Sequence, residues 1–153
     1  VRVHDVLDNA LTIMGHQLRL LDIEIEKELH EDLPMVLANS VRLEQVFLNL
    51  IANAKDALVG KPGRKIKICG KVEGEKVIVE FTDNGGGVDK EIRNKIFKPF
   101  FTTKENGMGL GLSISHGIVK EHGGELALEV VEGTGSIFRV SLPATAKNLS
   151  ELR

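Results

Sequence analysis

Two glycine clusters in the middle of the chain carry its clearest chemical signal. The first occupies residues 83–87 and begins with Asp83, the second occupies residues 107–111, and a segment rich in Phe, Thr and Lys separates them. Glycine allows a backbone to approach a ligand closely and to turn several N–H groups towards one anion. A helix is predicted to begin at Leu112, and a helix N-terminus attracts phosphate. The pattern therefore predicts a nucleotide site with a lid between two glycine hinges.

Glycine-rich loops are often simple turns, and one such motif is a weak signal. Here the connection across residues 83–110 is far longer than an ordinary loop, and long loops are usually functional or disordered. The aromatic side chains of Phe97, Phe100 and Phe101 within it argue against disorder. We therefore favour the functional interpretation.

A helix predicted over residues 41–59 contributes a second polar cluster. Its apolar residues form one stripe, namely Leu43, Val46, Phe47, Leu50, Ala54, Ala57 and Leu58. A different face carries the polar side chains of Gln45, Asn49, Asn53 and Asp56. Asn is a poor helix former, and a solvated face more usually carries Lys and Glu. The face is either a partly covered polar wall or, equally, an ordinary pair of exposed amides.

The elements that must position these residues follow from periodicity. Helical spacing occurs over residues 3–18, 89–97 and 112–121, besides 41–59. Strand-like patterns occur over residues 23–29, 35–38, 66–72, 77–82, 125–131 and 136–142. This order predicts an α+β fold with helices on one face of a mostly antiparallel sheet. Residues 1–143 are expected to form one domain, followed by a polar tail over residues 144–153.

Composition narrows the functional classes. The 153 residues are 42% hydrophobic and 27% charged with a net charge of −2, which fits one soluble domain and gives no support to nucleic-acid binding. No apolar run reaches the length of a membrane span, so we expect no membrane contact by this domain. The single cysteine, Cys69, cannot form an internal disulfide, which fits the cytoplasm. Because the chain begins without Met, we expect it to be a piece of a longer protein.

Five motifs in this order resemble the catalytic and ATP-binding domain of sensor histidine kinases, a branch of the GHKL superfamily with the Bergerat fold. The matching segments are residues 43–54 for the N box, 83–87 for the G1 box, 97–104 for the F box, 107–111 for the G2 box and 133–136 for the final glycine box. The Phe-Phe-Thr-Thr-Lys lid is similar to that of nitrogen-regulator-type kinases. The resemblance covers nearly the whole chain and implies a two-layer α/β sandwich, with a mixed sheet of about five strands packed on three helices.

The resemblance also implies site residues, with ATP and Mg²⁺ as cofactors. Asp83 would accept a hydrogen bond from the adenine amino group, and Ser136, where the family usually has Thr, would support Asp83 or a bridging water. Asn53 would ligate Mg²⁺ through its amide oxygen. The implied catalytic residues are Asn49, Asn53 and Lys104. The implied nucleotide-binding residues are Asn49, Asn53, Asp56, Asp83, Gly85, Gly87, Phe101, Thr102, Thr103, Lys104, Gly107, Met108, Gly109, Leu110, Gly111, Leu112 and Ser136.

One departure separates two kinds of chemistry within the superfamily. The ATP-hydrolysing relatives resemble this chain but carry a Glu one turn before the Mg²⁺ asparagine, where it activates water as a general base. The corresponding residue here is Asn49, and an amide cannot accept a proton at neutral pH. Transfer of phosphate to an external nucleophile is therefore favoured over rapid hydrolysis.

The acceptor histidine is expected outside this chain. The segment His16-Gln17-Leu18-Arg19 is similar to an acceptor box, but no Pro follows Arg19 and the segment lies in the first predicted helix. The implied partners are a helical dimerisation domain of the same protein, which carries the histidine, and a response regulator receiver domain. Two alternatives stay open: an ATPase switch or anti-sigma serine kinase of the same superfamily, and a degenerate module that binds nucleotide and signals by contact.

Overall fold

The computed structural model describes residues 1–58, 63–84, 111–131 and 135–145. Within these ranges the elements are α1 (Val3–Leu20), β1 (Glu24–Leu29), α2 (Ser40–Ala57), β2 (Lys65–Glu73), β3 (Lys76–Asp83), α3 (Gly111–Glu121), β4 (Glu125–Val131) and β5 (Gly135–Pro143). Each of them was predicted from the sequence, with ends that differ by one or two residues at most. The predicted short helix over residues 89–97 lies outside the described residues.

The strands form one mixed sheet in the order β1-β2-β3-β5-β4. β1 runs parallel to β2, and all other neighbouring strands are antiparallel. The predicted α+β sandwich with a mostly antiparallel sheet is therefore confirmed. Because β3 lies between β2 and β5, its last residue, Asp83, is flanked by a strand on each side.

An N-cap residue and a buried apolar stripe determine where α2 begins and which of its faces packs on the sheet. The side-chain oxygen of Asn39 accepts a hydrogen bond from the backbone N–H of Arg42 at 3.1 Å, and such a cap typically stabilises a helix by about 1 kcal/mol. The buried members of the predicted stripe are Leu43, Val46, Phe47, Leu50, Ala54 and Leu58. Ala57, the last residue of the helix, is exposed, and Ile51, which the prediction omitted, belongs to the core.

The helices cover one face of the sheet, and the centre of the core lies between α2 and the middle strands. Opposite apolar pairs on β3 and β5 are buried there, namely Val77 with Leu142, Val79 with Val140 and Phe81 with Phe138. The ring of Phe81 packs against that of Phe47, with centroids 5.5 Å apart. Burial of such a side chain contributes roughly 1.5–3 kcal/mol. The same row of the sheet ends in a polar pair, Asp83 opposite Ser136.

The opposite face of the sheet carries charged side chains in a network. Glu80 on β3 is paired with Arg139 on β5 at 2.7 Å and with Lys71 on β2 at 3.4 Å. Arg139 also reaches Glu129 on β4 at 3.1 Å. Because charged groups are stable beside water and costly in an apolar environment, this network indicates that its part of the face is open to solvent.

One predicted strand is wrong. Over residues 35–38 only Val36 pairs, in an isolated bridge with Ala144, and Leu37 is 84% exposed. Exposed Met35 and Leu37 alternate with buried Val36 as they would in a strand, but the pairing does not extend beyond Val36. The backbone N–H of Thr145 donates to the carbonyl of Met35 at 3.0 Å, so the first residues of the predicted tail are held. None of the helices in the described ranges is long and apolar enough to cross a bilayer.

Candidate nucleotide-binding site

The carboxylate of Asp83 is the most deeply buried charged group of the candidate site, with 2% of the residue exposed. The hydroxyl of Ser136 donates to its Oδ2 at 3.0 Å, and the antiparallel register places the two residues directly opposite each other. A buried carboxylate is costly unless it is hydrogen-bonded, and Ser136 meets part of that need. Because a carboxylate can accept several hydrogen bonds at once, the contact with Ser136 is compatible with a donor on a ligand.

Gly135 allows β5 to approach the end of β3 closely enough for this contact. A Cβ atom at position 135 would overlap the carbonyl oxygen of Asp83 and lie 3.1 Å from the Cα of Asn84. Only glycine avoids that overlap without a shift of one strand. The sequence analysis placed Gly135 in the final glycine box but not among the site residues, since the overlap becomes visible only when the two strands are paired.

The side chain of Asn84 fixes the chain where it leaves β3. Its Nδ2 donates to the carbonyl of Gly63 at 2.7 Å, and its Oδ1 accepts from the backbone N–H of Lys65 at 3.1 Å. Lys65 is the first residue of β2, the strand next to β3, and Gly63 lies two residues before it. The chain is therefore anchored directly after Asp83.

The polar face of α2 is the second part of the site. Asn49, Asn53 and Asp56 are partly buried, whereas Gln45 is exposed. A partly covered polar wall, one of the two interpretations of the sequence, therefore describes the three later residues. The Nδ2 of Asn49 donates to the carbonyl of Gly111 at 3.3 Å and to the Oγ of Ser115 at 3.1 Å.

α2 and α3 run antiparallel, which orders the polar groups along α2. Near the start of α2, Arg42 is paired with Glu121 at 2.7 Å, and the N–H of Asn39 donates to Nε2 of His122 at 3.2 Å. Asn49 lies further along α2, beside the first residues of α3, which form the opposite end of that helix. Asn53, one turn beyond Asn49, is therefore placed past the beginning of α3, which is a suitable position for a group that shares a ligand with that helix start.

His122 has a structural role that sequence reasoning missed. Its Nδ1 lies 2.7 Å from the carbonyl of Ile118, and its Nε2 accepts from Asn39. An imidazole nitrogen that accepts cannot carry the proton, so the proton resides on Nδ1, which donates to Ile118. The sequence analysis considered no such role, because the contact joins residues 83 positions apart.

The structure brings together two pairs of the predicted site residues, Asp83 with Ser136 and Asn49 with Gly111. Leu112, also predicted, packs against the edge of the core from the first turn of α3. The predicted residues that lie outside the described ranges are Gly85, Gly87, Phe101, Thr102, Thr103, Lys104, Gly107, Met108, Gly109 and Leu110.

Comparison with known proteins assigns the class that this fold and site define, an ATPase-type nucleotide-binding domain. The chain belongs to the family of histidine kinase-, DNA gyrase B- and HSP90-like ATPases, whose family model matches residues 38–146. Within that family its similarities lie with histidine kinases. The catalytic domain of histidine kinase ThkA matches with a TM-score of 0.85 and 32% identity, over 97% of this chain and 96% of that one.

Curated relatives point to the same branch. The chain is 34% identical over 148 residues to the sensor histidine kinase ZraS of Salmonella typhimurium, covering 96% of this chain and 31% of the relative. It is 41% identical over 146 residues to the two-component sensor PprA of Pseudomonas aeruginosa, covering 91% of this chain and 16% of the relative. The chain thus spans a third or less of the length of these relatives.

Proposed function

We propose that this chain is the catalytic, ATP-binding part of a sensor histidine kinase. It transfers the γ-phosphate of Mg-ATP to a histidine on a separate helical dimerisation domain of the same protein. A receiver domain of a response regulator then takes the phosphate, which is supported by the solved complex of histidine kinase ThkA with response regulator protein TrrA. The proposed location is the cytoplasm.

The residues fit the proposed ligands. Asp83 accepts the adenine amino group while Ser136 holds its other oxygen, and the amide oxygen of Asn53 serves as a hard ligand of the kind that Mg²⁺ prefers beside nucleotide phosphates. When bound, Mg²⁺ neutralises charge on the phosphates. Asp56 faces the nucleotide edge from the last turns of α2, and Lys104 binds phosphate together with the backbone from Gly109 to Leu112.

The remaining nucleotide contacts in this proposal belong to the glycine clusters and the lid. Gly85 and Gly87 let the backbone pass close to the base. Gly107 and Met108 extend the phosphate-binding segment that begins at Gly109 towards the lid. Phe101, Thr102 and Thr103 order the lid over the bound nucleotide.

The observation that favours phosphate transfer over ATP hydrolysis is the hydrogen bonding of the Asn49 side chain. Its amide nitrogen donates to Gly111 and Ser115, so the group that replaces the general base of the hydrolysing relatives is engaged with α3. An amide held in this way positions neighbouring groups and does not activate water. Positioning of ATP against the acceptor histidine and neutralisation of the phosphate charge then provide most of the catalysis, as is common in phosphoryl transfer.

The test uses the full-length protein encoded by the gene that contains this chain, incubated with ATP labelled at the γ-phosphate. We expect protein-bound label that is labile in acid and stable in base, as a phosphohistidine is. Rapid release of free phosphate instead would assign the chain to the ATPase switches. Nucleotide binding without either product would assign it to the binding modules.

A matched pair of amide variants on α2 controls for indirect effects. Asn53→Ala removes the proposed Mg²⁺ ligand and should reduce labelling by at least about 100-fold, the scale associated with loss of a group that stabilises transition-state charge. Gln45→Ala removes an exposed amide two turns earlier on the same helix and should leave labelling unchanged. Equal labelling of the two variants would contradict the role of Asn53.

A further inference from the structure

A buried polar contact joins α2 to the first turns of α3. Ser115 is fully buried, with 0% of its surface exposed, and its helix neighbours Ile118 and Val119 are buried in the core. Its Oγ accepts a hydrogen bond from Nδ2 of Asn49 at 3.1 Å. The same nitrogen donates to the carbonyl of Gly111 at 3.3 Å.

Burial of Ser115 does not by itself require a partner on α2. A helical serine can satisfy its hydroxyl on the carbonyl four residues earlier, which here is that of Gly111. Asn49 nevertheless reaches both the hydroxyl and that carbonyl. Because an amide NH₂ group has two donors, Asn49 uses one for each of two acceptors that lie one turn apart on α3.

This double contact joins the two elements that the proposed function assigns to Mg²⁺ and to phosphate. Asn49 precedes Asn53 by one turn on α2, and Gly111 is the first residue of α3. A shift of α3 along its axis or a rotation about it would break one of the two hydrogen bonds. The contact therefore sets where the start of α3 lies relative to Asn53.

We propose that Ser115 is a positioning residue for nucleotide binding, which acts by holding the Asn49 amide against the first turn of α3. The inference rests on the proposed function, since it assumes that Asn53 and the start of α3 share one Mg-nucleotide. Ser115 does not contact the ligand. Its effect on binding passes entirely through Asn49.

The experiment is a double-mutant cycle on the affinity for a non-hydrolysable ATP analogue with Mg²⁺, measured by calorimetry. Ser115→Ala is expected to weaken binding about tenfold, the size typical of one lost buried hydrogen bond with an unsatisfied partner. Asn49→Asp should weaken it at least as much, because a carboxylate oxygen would face the carbonyl oxygen of Gly111, which can only accept. Adding Ser115→Ala to Asn49→Ala should change the affinity by less than about twofold, since the interaction is already lost.

Ser141→Ala provides the matched control. Ser141 is also a buried serine, but it lies on the opposite face of the sheet and its hydroxyl donates to the carbonyl of Glu125 at 3.5 Å. Its variant should bind the analogue as the wild type does. If Ser115→Ala fails to fold in urea titrations, Ser115→Cys, which nearly keeps the size of the side chain and accepts only weakly, takes its place in the cycle.

The outcomes separate this inference from the proposed function. A wild-type chain that binds no nucleotide would overturn the proposed function. A wild-type chain that binds, combined with an unaffected Ser115→Ala or with losses that add in the double variant, would overturn only the role of Ser115. Additive losses would mean that the hydroxyl contributes to stability and not to the position of Asn49.

Discussion

At the scale of single residues, Asp83 combines a charge with almost complete burial. Its carboxylate accepts from Ser136 at the end of β3, where the apolar row of Phe81 and Phe138 stops. A carboxylate in this position favours a ligand that brings its own hydrogen-bond donor, because an additional donor lowers the cost of the buried charge. An exocyclic amino group of a base is such a donor.

Asp83→Asn tests this assignment. The variant keeps the shape of the side chain and one oxygen for Ser136, but it loses the charge and replaces the other oxygen with a donor. Because hydrogen bonds to charged groups are worth about 1.5–3 kcal/mol, we expect affinity for an ATP analogue to fall at least about tenfold in calorimetric titrations. Binding equal to that of the wild type would place the base elsewhere.

Ser136→Ala is a milder variant at the same site. It removes one donor to Asp83 while leaving the charge and both oxygens, so the loss of affinity should be smaller than that of Asp83→Asn. The free energy of unfolding, measured in urea for both variants, separates weaker binding from general destabilisation.

At the scale of elements, replacement of glycine by alanine is expected to change the free energy of unfolding in opposite directions at two positions. Gly135→Ala would push β5 away from the carbonyl of Asp83, whereas a Cβ at Gly117 on α3 meets nothing within 4 Å. We expect Gly135→Ala to lower the free energy of unfolding by about 1–3 kcal/mol through overpacking. Gly117→Ala should raise it by about 0.5–1 kcal/mol, because alanine is the better helix former.

Urea titrations of both glycine variants provide the measurement, with the denaturant slope compared to confirm an unchanged native state. Gly135→Ala should also weaken nucleotide binding, since the displaced strand carries Ser136. A stabilising Gly135→Ala would show that β5 relaxes without cost, and the close approach would then not explain the glycine.

The elements were largely predictable because their signals are local. Apolar residues recur at helical spacing in α2, and the hairpin of β2 and β3 has a turn centred on Gly74, where φ is +61°. The segment over residues 35–38 was misjudged because its alternation of exposed Met35 and Leu37 with buried Val36 fits both a strand and an extended segment that pairs at one residue only. Nothing in the local pattern distinguishes those two cases.

The site was predictable in its residue types and in one contact, that of Ser136 with Asp83, but not in its other contacts. Asp83, Ser136 and Asn49 were found through motifs, whereas Ser115 and Gly135 were missed. Their roles depend on approaches between α2 and α3 and between β3 and β5, which are distant in sequence. A hydroxyl within the apolar stripe of α3 was the one local signal for Ser115, and a serine there is equally compatible with bonding to its own helix.

At the scale of the whole molecule, the sheet divides two environments. One face packs against the helices, and the other carries the network of Lys71, Glu80, Glu129 and Arg139. Half-exposed ion pairs contribute little individually, so the fold rests on the apolar face. The network instead makes stability depend on pH, because Glu80 must stay ionised to keep its partners.

Within the network, Glu80 is the residue that makes stability depend on pH. Burial acts to raise its pKa, but hydrogen bonds from Arg139 and the charge of Lys71 outweigh it, so the pKa of Glu80 lies below the ordinary 4.5. The pKa of Glu26 is lowered as well, chiefly by its hydrogen bond with Lys65. A carboxyl group with a lowered pKa in the folded state stabilises fully above its unfolded pKa, and this stability is lost as the pH falls through the folded value.

Unfolding in urea between about pH 6 and pH 3 should therefore show a free energy that is constant at the upper end and declines below about pH 4.5. Glu80→Gln should decline less steeply over that window, because it has no proton to gain, while the Glu26 contribution keeps part of the slope. Glu31→Gln, an exposed carboxyl outside the network, should retain the wild-type slope. If Glu80→Gln and Glu31→Gln follow the same curve, the charged face does not couple protonation to folding.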